Sequence, residues 1–452
     1  MFLSYIIRPN IFLFTLFITI SGVNAKVTSE ESKQLLSNLT VNGAIKAGNE
    51  SGTIPEFIAD ELSDKKYLEW RKAIQKEQPL FVINADNMQE HLHMLSKGLI
   101  ALLELYPDTF NIPVYKTHRT ARFPKWVNDN TFKNATDAST DSSGNNMVSA
   151  WPGLPFPIPK NAKEIIWNYK LRWSGRSFEY IFTDILVDPD GIRKISKTTM
   201  RSLIVYYGKH RRDKRLNDWR YAYFTTKTFF PKKLSGMTFM HVDTLKPEPH
   251  PVQTFVYMPS TRRARNMSAL YRPDISAPVS DGIMLVDEMN AYNGALHYYD
   301  WSIAGKKEMI VPYNNDQIFD VIKDESVFTK HHLATEKTRF EIHRVWVVDA
   351  TLKKDKAHTY QKRRFYIDED AWSIVMNDAY DKNNNHIRAM LRYGVHLTKA
   401  ESFTLAIDVY HDLEKKRYYS QHFDHEKLKL DLNLKPKDFN PKRLDKIFIH
   451  RD

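Results

Sequence analysis

YQKRRFYIDEDAWSIVMNDAYDKNNNHIRAMLRY, residues 360–393, decides the fold. Three apolar and aromatic runs, Tyr360–Ile367, Trp372–Tyr380 and His386–Tyr393, are joined by the polar turns Asp368-Glu369-Asp370 and Lys382-Asn383-Asn384-Asn385. β-branched and aromatic runs of strand length, punctuated by Asp and Asn, predict an antiparallel meander. Just upstream, FEIHRVWVVDATL (340–352) alternates. Phe340, Ile342, Trp346 and Val348 are expected on one face, with Arg344 interrupting them.

The pattern continues in both directions. Phe403–Asp412 and Arg417–Phe423 follow the meander. Before it come SFEYIFTDILVD with the turn Pro189-Asp190-Gly191, then KTTMRSLIVYYG, Trp219–Phe230, Met237–Asp243 and Pro251–Met258. Gly282–Tyr292 and Lys307–Tyr313 complete the series. Short strands at steady spacing predict one long antiparallel sheet, curled or closed. The expected class is mainly β with some α. No repeat recurs at a fixed period.

The N-terminal part reads differently. Asn87, with Glu90 three residues on, predicts a capped helix. Ser96 starts another, carrying Leu99, Leu102 and Leu103 and stopped by Pro107. Tyr106–Asn130, with three prolines, is expected as an extended strap. The small polar stretch Ala135–Asn146 is the candidate domain boundary. WPGLPFPIPK (151–160) cannot join a central strand. Asn161–Ser174 fits a strand with Trp167 and Trp173 on one face, or a helix capped by Asn161 and Glu164; the caps favour the helix. The basic tail, residues 440–452, is expected to strap onto the body.

The chain has 452 residues, 66 Lys and Arg against 54 Asp and Glu, and 42% hydrophobic residues. This composition excludes a disordered chain, a collagen-like fibre and a multi-span membrane protein. Residues 1–25, MFLSYIIRPNIFLFTLFITISGVNA, carry one charge, Arg8, before the apolar run Ile11–Ile20 and the small residue Ala25. They predict a secretory signal; the run is short for a membrane anchor. There is no cysteine. Disulfides, thiol nucleophiles and lipidation at the cleavage site are therefore excluded, and a periplasmic location is expected.

No Walker loop, GxGxxG, GxSxG or HExxH is present. His331, His332 and Glu336, with Glu341 and His343 behind, form the nearest metal-like cluster, but they fall partly on a strand and no metal or other cofactor is expected. Catalytic triads assemble in space, and no set of residues stands out as one. Basic stretches at Lys209–Arg220, at Arg262, Arg263 and Arg265, and at Lys362–Arg364 are flanked by aromatics. In an exported protein they point to anionic lipid head groups or an acidic partner rather than nucleic acid; a solvated strand face is the ordinary alternative. A curved sheet with a helix across its open side can leave an apolar cavity. By size and strand phase, Trp167, Trp173, Phe255, Tyr257, Trp346, Phe365 and Trp372 are the candidate cavity lining. Arg262, Arg263 and Arg265 are the candidate docking surface.

Four blocks carry a resemblance: LTVNGAIKAGNESGTIPEF (39–57), YPDTFNIPVYKTHRTARFPKWVNDNT (106–131), WPGLPFPIPKNAKEIIWNYKLRWSG (151–175) and VYMPSTRRARN (256–266). From about Leu39 to the C-terminus the chain resembles an exported proteobacterial family labelled outer-membrane lipoprotein-sorting proteins. YIDEDAWSIVMNDAYDKNNN (366–385) is more loosely similar to the Lol-type lipoprotein carriers. The resemblance implies an incomplete antiparallel β-barrel around an apolar cavity, lidded by helices. It also implies traffic of a lipid, a lipoprotein acyl chain or another apolar molecule, with an RND-type exporter or an outer-membrane protein as partner. The expected division is a signal peptide (1–25), an N-terminal section packed on the body (26–146) and a Lol-like half-barrel with a C-terminal strap (147–452). A ligand-free adaptor subunit and an exported lipid hydrolase are the alternative functions.

Overall fold

The computed structural model describes residues 27–58, 64–208, 215, 218–268, 272–321, 324–424 and 427–448. The expected signal peptide and most of the basic run Lys209–Arg220 lie outside the described residues. The helices are α1 (Ser29–Ser32), α2 (Asp64–Ile74), α3 (Lys97–Leu105), α4 (Lys125–Asp137), α5 (Ala162–Leu171) and α6 (Asp316–Val321). The strands are β1 (Phe81–Ile83), β2 (Ile112–Val114), β3 (Ser139–Thr140), β4 (Met147–Ser149), β5 (Ser177–Val187), β6 (Arg193–Ile204), β7 (Arg220–Phe230), β8 (Thr238–Thr244), β9 (Gln253–Met258) and β10 (Arg263–Asn266). They continue with β11 (Tyr299–Pro312), β12 (Phe340–Leu352), β13 (Lys362–Asp368), β14 (Ile374–Tyr380), β15 (His386–Leu397), β16 (Ser402–Asp412), β17 (Arg417–Phe423) and β18 (Lys429–Leu430).

Sixteen of these strands form one sheet in the order β1-β2-β12-β13-β14-β15-β16-β17-β5-β6-β7-β8-β9-β10, with β11 on β12 and β18 on β5. It is not closed into a barrel: β1 and β10 stand at the two ends of the path. Pairing is antiparallel except for one parallel bridge, Phe340 with Val114, so the expected all-antiparallel sheet is slightly mixed. The decisive joint is β17 on β5, where Tyr418 faces Val187 and Phe423 faces Phe182. It merges the C-terminal meander with the β5–β10 meander. Because β1 and β2 also belong to the sheet, the N-terminal section is built into the body.

Alternation divides the side chains between two cores. On β5, Ile185 and Val187 enter the first and Leu186 the second. Leu99, Leu102 and Leu103 of α3 pack into the first core, and Ile165, Ile166 and Trp167 of α5 into the second. Each such side chain contributes roughly 1.5–3 kcal/mol on burial. Both helices start as their caps dictate. The Ser96 hydroxyl accepts from Leu99 N at 3.1 Å and Asn161 Oδ1 from Glu164 N at 3.1 Å. Asn87 departs from expectation. Its amide oxygen accepts from Asn84 N and its nitrogen donates to Val82 O, so a 3₁₀ helix, Met88–Met94, follows without a side-chain cap.

Three further expectations are corrected. The end of the supposed strap is helix α4, whose buried face is Val127, Asn130, Thr131 and Asn134. That face is mostly polar, so helical spacing of apolar residues did not reveal it. Its polarity has a use. Asn130 and Asn134 donate to the carbonyls of Pro152, Trp151 and Leu154, and Thr131 Oγ1 accepts from Leu154 N at 3.0 Å. The proline-rich block, which cannot use a strand ladder, takes its backbone partners there. Second, Gly282–Tyr292 is not a strand but irregular chain around a short 3₁₀ turn, Val286–Glu288. Positive φ at Gly282, Asn290 and Ala291 breaks it, and Glu288 turns inward to accept from Leu285 N at 2.8 Å. Third, on β12, Phe340 and Ile342 belong to the first core while Trp346 and Val348 pack with the second.

The polar stretch before the proline block forms the β3–β4 hairpin, and Trp167 Nε1 donates to its Gly144 O at 3.0 Å. At the C-terminus, Phe439, Leu444 and Ile447 pack on Leu203, Tyr223, Met240 and Val242. The described part of the tail thus lies across β6–β8 as a strap.

Candidate functional site

Two adjoining cavities, about 180 and 270 Å³, lie between α5, the loop 272–293 and strands β5–β9. Thr226, His241, Val286, Met289 and Gln421 border both, so they form one hollow. Strand phase builds its wall. Phe178, Tyr180 and Phe182 come from β5, Phe224 and Thr226 from β7, Phe239 and His241 from β8, and Thr254 and Val256 from β9. Each strand presents every second residue. Phe178 stacks on Tyr180 with ring centroids 5.5 Å apart. Across the C-terminal strands this side of the sheet is filled by the second core, which reaches Leu186 of β5, Ile204 of β6 and Ala222 of β7; the cavities lie beside it over β5–β9. An apolar cavity of about 150 Å³ already admits benzene, so this hollow is large enough for part of an alkyl chain.

The wall also carries polar groups. Asp184, buried, accepts from the Tyr419 hydroxyl at 2.5 Å, from Gln421 Nε2 at 2.9 Å and from Ser196 Oγ at 3.2 Å. Burial nevertheless pushes its carboxyl up to about 6. Burial also raises Asp243 and holds His241 down at about 4, leaving the imidazole neutral near pH 7. Lys170 and Arg172, at the end of α5, line the same cavity and are lowered by burial.

Of the expected lining, Trp167 borders the hollow. Trp173 sits beside it, edge-on to Trp126 and Tyr207, with Nε1 donating to Ala400 O at 2.7 Å. Phe365 and Trp372 are buried in the second core, and Trp372 Nε1 donates to Asn42 O at 2.8 Å. Trp346 stacks on Trp372 beneath the Lys306 ammonium. Phe255 and Tyr257 face the opposite side of β9, against the C-terminal strap. A one-residue change of phase moves a side chain through the sheet, and Thr254 and Val256 take the positions on the hollow. Arg262, Arg263 and Arg265 are exposed on and beside β10, the last strand of the sheet, with Arg265 opposite Val256 of the wall; none of the three borders the cavities. The alternating Phe178, Tyr180 and Phe182 were a readable signal for the wall. Lys170 and Arg172 gave none.

The histidines separate. His332 is bonded to Thr109 Oγ1 and Leu333 O, and His331 stacks on Tyr106. His343 lies between Glu341, 3.0 Å from Nε2, and Asp368, 3.6 Å from Nδ1. His343, Asp368 and Asp370 are close enough to share a cation, but Asp370 already holds Arg119 through both oxygens. The group reads as a buried ion-pair cluster on β12, the end of β13 and the turn that follows it. Among the described residues no helix is long and apolar enough to cross a membrane.

Comparison with known proteins gives the chain relatives. It is 33% identical over 405 residues, 88% of each chain, to the uncharacterized protein PA3922 of Pseudomonas aeruginosa. Among solved structures it is similar to a domain labelled an outer membrane lipoprotein-sorting protein from Vibrio parahaemolyticus, at 12% identity, covering 62% of this chain and 97% of that one, TM-score 0.44. It is also similar to a LolA superfamily protein from Nitrosomonas europaea, at 11% identity, covering 62% and 98%, TM-score 0.39. The pattern of the family described as protein of unknown function (DUF1329) matches residues 82–445, and the chain belongs to that family.

Proposed function

We propose that this chain is a periplasmic carrier that takes up an apolar molecule, a lipid or an acyl chain, in the hollow under α5 and passes it to or from an envelope transport system. The observation that carries this reading is the pair of cavities over β5–β9, beneath α5 and the loop 272–293, into which the aromatic side chains of β5, β7 and β8 project. An acyl chain gains about 0.8 kcal/mol for each CH₂ removed from water, so affinity needs few specific contacts. Such a site needs no catalytic motif, and the function proposed is not enzymatic. Export by the leader supplies the compartment. The exposed Arg262, Arg263 and Arg265 supply a basic edge for an acidic partner such as an RND-type exporter, or for anionic head groups.

Solvent extraction of the purified protein followed by mass spectrometry tests the reading. A stoichiometric apolar molecule is expected, and it should be lost when Met289→Trp fills the junction of the two cavities. No bound molecule, together with no uptake of added lipid, would leave the adaptor role in its place.

A further inference from the structure

One group in the hollow is not explained by holding an apolar chain. Arg172 is 6% exposed and lines the cavity. Its Nη1 donates to Tyr169 O at 2.7 Å and its Nη2 reaches Asn290 Oδ1 at 3.3 Å, while its Nε is buried with no acceptor. The guanidinium lies over the Tyr169 ring, 4.4 Å from the centroid. Among the described residues no carboxylate pairs with it. Another cation, Arg392, shares the Asn290 Oδ1 acceptor at 3.0 Å, and its own fork is taken by Asp408 at 2.8 and 2.7 Å. Lys170, on the same cavity, is held by carbonyls, Gly294 O at 3.1 Å and Asn293 O at 3.3 Å.

A cation at a helix C-terminus is favourable, and the bond to Tyr169 O is of that kind. With the bond to Asn290 it accounts for two nitrogens of three, and neither acceptor is charged. Burying the rest of an arginine without a counterion is costly, and such groups are normally paired. The planar fork matches a carboxylate or phosphate through two parallel bonds. Asn290, which shares the site, is exposed, so the charged end of the hollow adjoins solvent.

We propose that the hollow binds an anionic amphiphile, its acidic head group, a carboxylate or a phosphate monoester, seated on Arg172 beside Lys170 and its alkyl chain running along the wall of β5–β9. This rests on the carrier reading and names its ligand class.

The test is isothermal titration of the delipidated full chain at pH 8 with dodecanoate, dodecyl phosphate and dodecanol. At least one acid should bind about tenfold or more tightly than the alcohol, as expected for a charge-assisted contact. The tighter acid identifies the head group. Arg172→Met should abolish that preference, and Arg172→Lys should restore part of it. Near-UV circular dichroism checks the fold of each variant. Should Arg172→Met fail to fold, the wild-type ratio alone decides. Equal binding of acids and alcohol, or a preference that survives Arg172→Met, overturns the inference and leaves the carrier reading standing. Binding of none of the three overturns both.

Discussion

Arg119 and Asp370 close a two-bond ion pair across the seam between the N-terminal section and the sheet. Nε meets Oδ2 at 2.8 Å and Nη2 meets Oδ1 at 2.7 Å, with the two side chains 3% and 2% exposed. The remaining guanidinium protons go to the carbonyls of Ile45, Lys46 and Pro55. One side chain therefore ties the segment 45–55 to the turn between β13 and β14. Arg119→Ala would leave Asp370 buried and unpaired, and a loss of about 3–5 kcal/mol is expected, read as a lower urea midpoint at unchanged slope. A chain beginning at residue 147 would lose β1, β2, α3 and this pair together. It is expected not to fold, as insolubility or the absence of a cooperative transition would show.

Asp184 makes stability depend on pH in an unusual direction. Its folded carboxyl titrates at about 6, against roughly 4 in an unfolded chain. Between those values the folded state holds a proton that the unfolded state has released, so the contribution of Asp184 falls as pH rises through about 4 to 6 and is flat above. The full change is about 3 kcal/mol. The difference in unfolding free energy between wild type and Asp184→Asn, measured at pH 4.5, 5.5 and 7, should shift steadily in favour of the variant. A pH-independent difference would refute the assignment.

Binding and stability should separate between the hollow and the core. Met289→Trp is expected to abolish uptake of dodecanol while changing stability by less than about 1.5 kcal/mol, since the new ring enters empty space. Trp372→Leu should do the reverse. It removes a core ring and the bond to Asn42 O, at a cost of about 2–4 kcal/mol, and leaves dodecanol affinity unchanged. Titration and thermal melting of both variants decide.

The strap covers one face of the β7–β9 region. Phe439 stacks on Tyr223 with centroids 5.2 Å apart. Phe439→Ala is expected to cost about 3 kcal/mol and to raise hydrogen exchange in residues 434–448 and along β8 and β9. Exchange unchanged in those strands would mean that the strap does not protect them.

Much of the architecture was written locally. Pro189-Asp190-Gly191 and the Asn383–Asn385 turn delimit strands because few backbones other than turns suit those residues. Ser96 and Asn161 cap helices because their side chains replace missing backbone acceptors. The block 39–57 and the meander 366–385 carried the family resemblance. Asn87 shows the limit of such signs: its side chain found competing partners at Asn84 and Val82. The helix α4 was hidden because its buried face is polar, and the loop 282–292 because Ile283, Met284 and Leu285 are as apolar as a strand.

Sequence alone determined where most of the long strands are, since an alternation of period two and a turn residue act over a few positions; the short strands β1 to β4 were not legible in it. The tertiary structure decided which side of each strand is covered. That depends on β17 pairing with β5, on α5 ending at Leu171 rather than continuing over β7–β9, and on the tail taking the Phe255 side of β9. Periodicity reports that residues share a face, and only packing against distant segments makes that face a core, a strap contact or a hollow. Arg172 illustrates the difference: a basic residue at a helix end in the chain, and an uncompensated charge in a cavity only after folding.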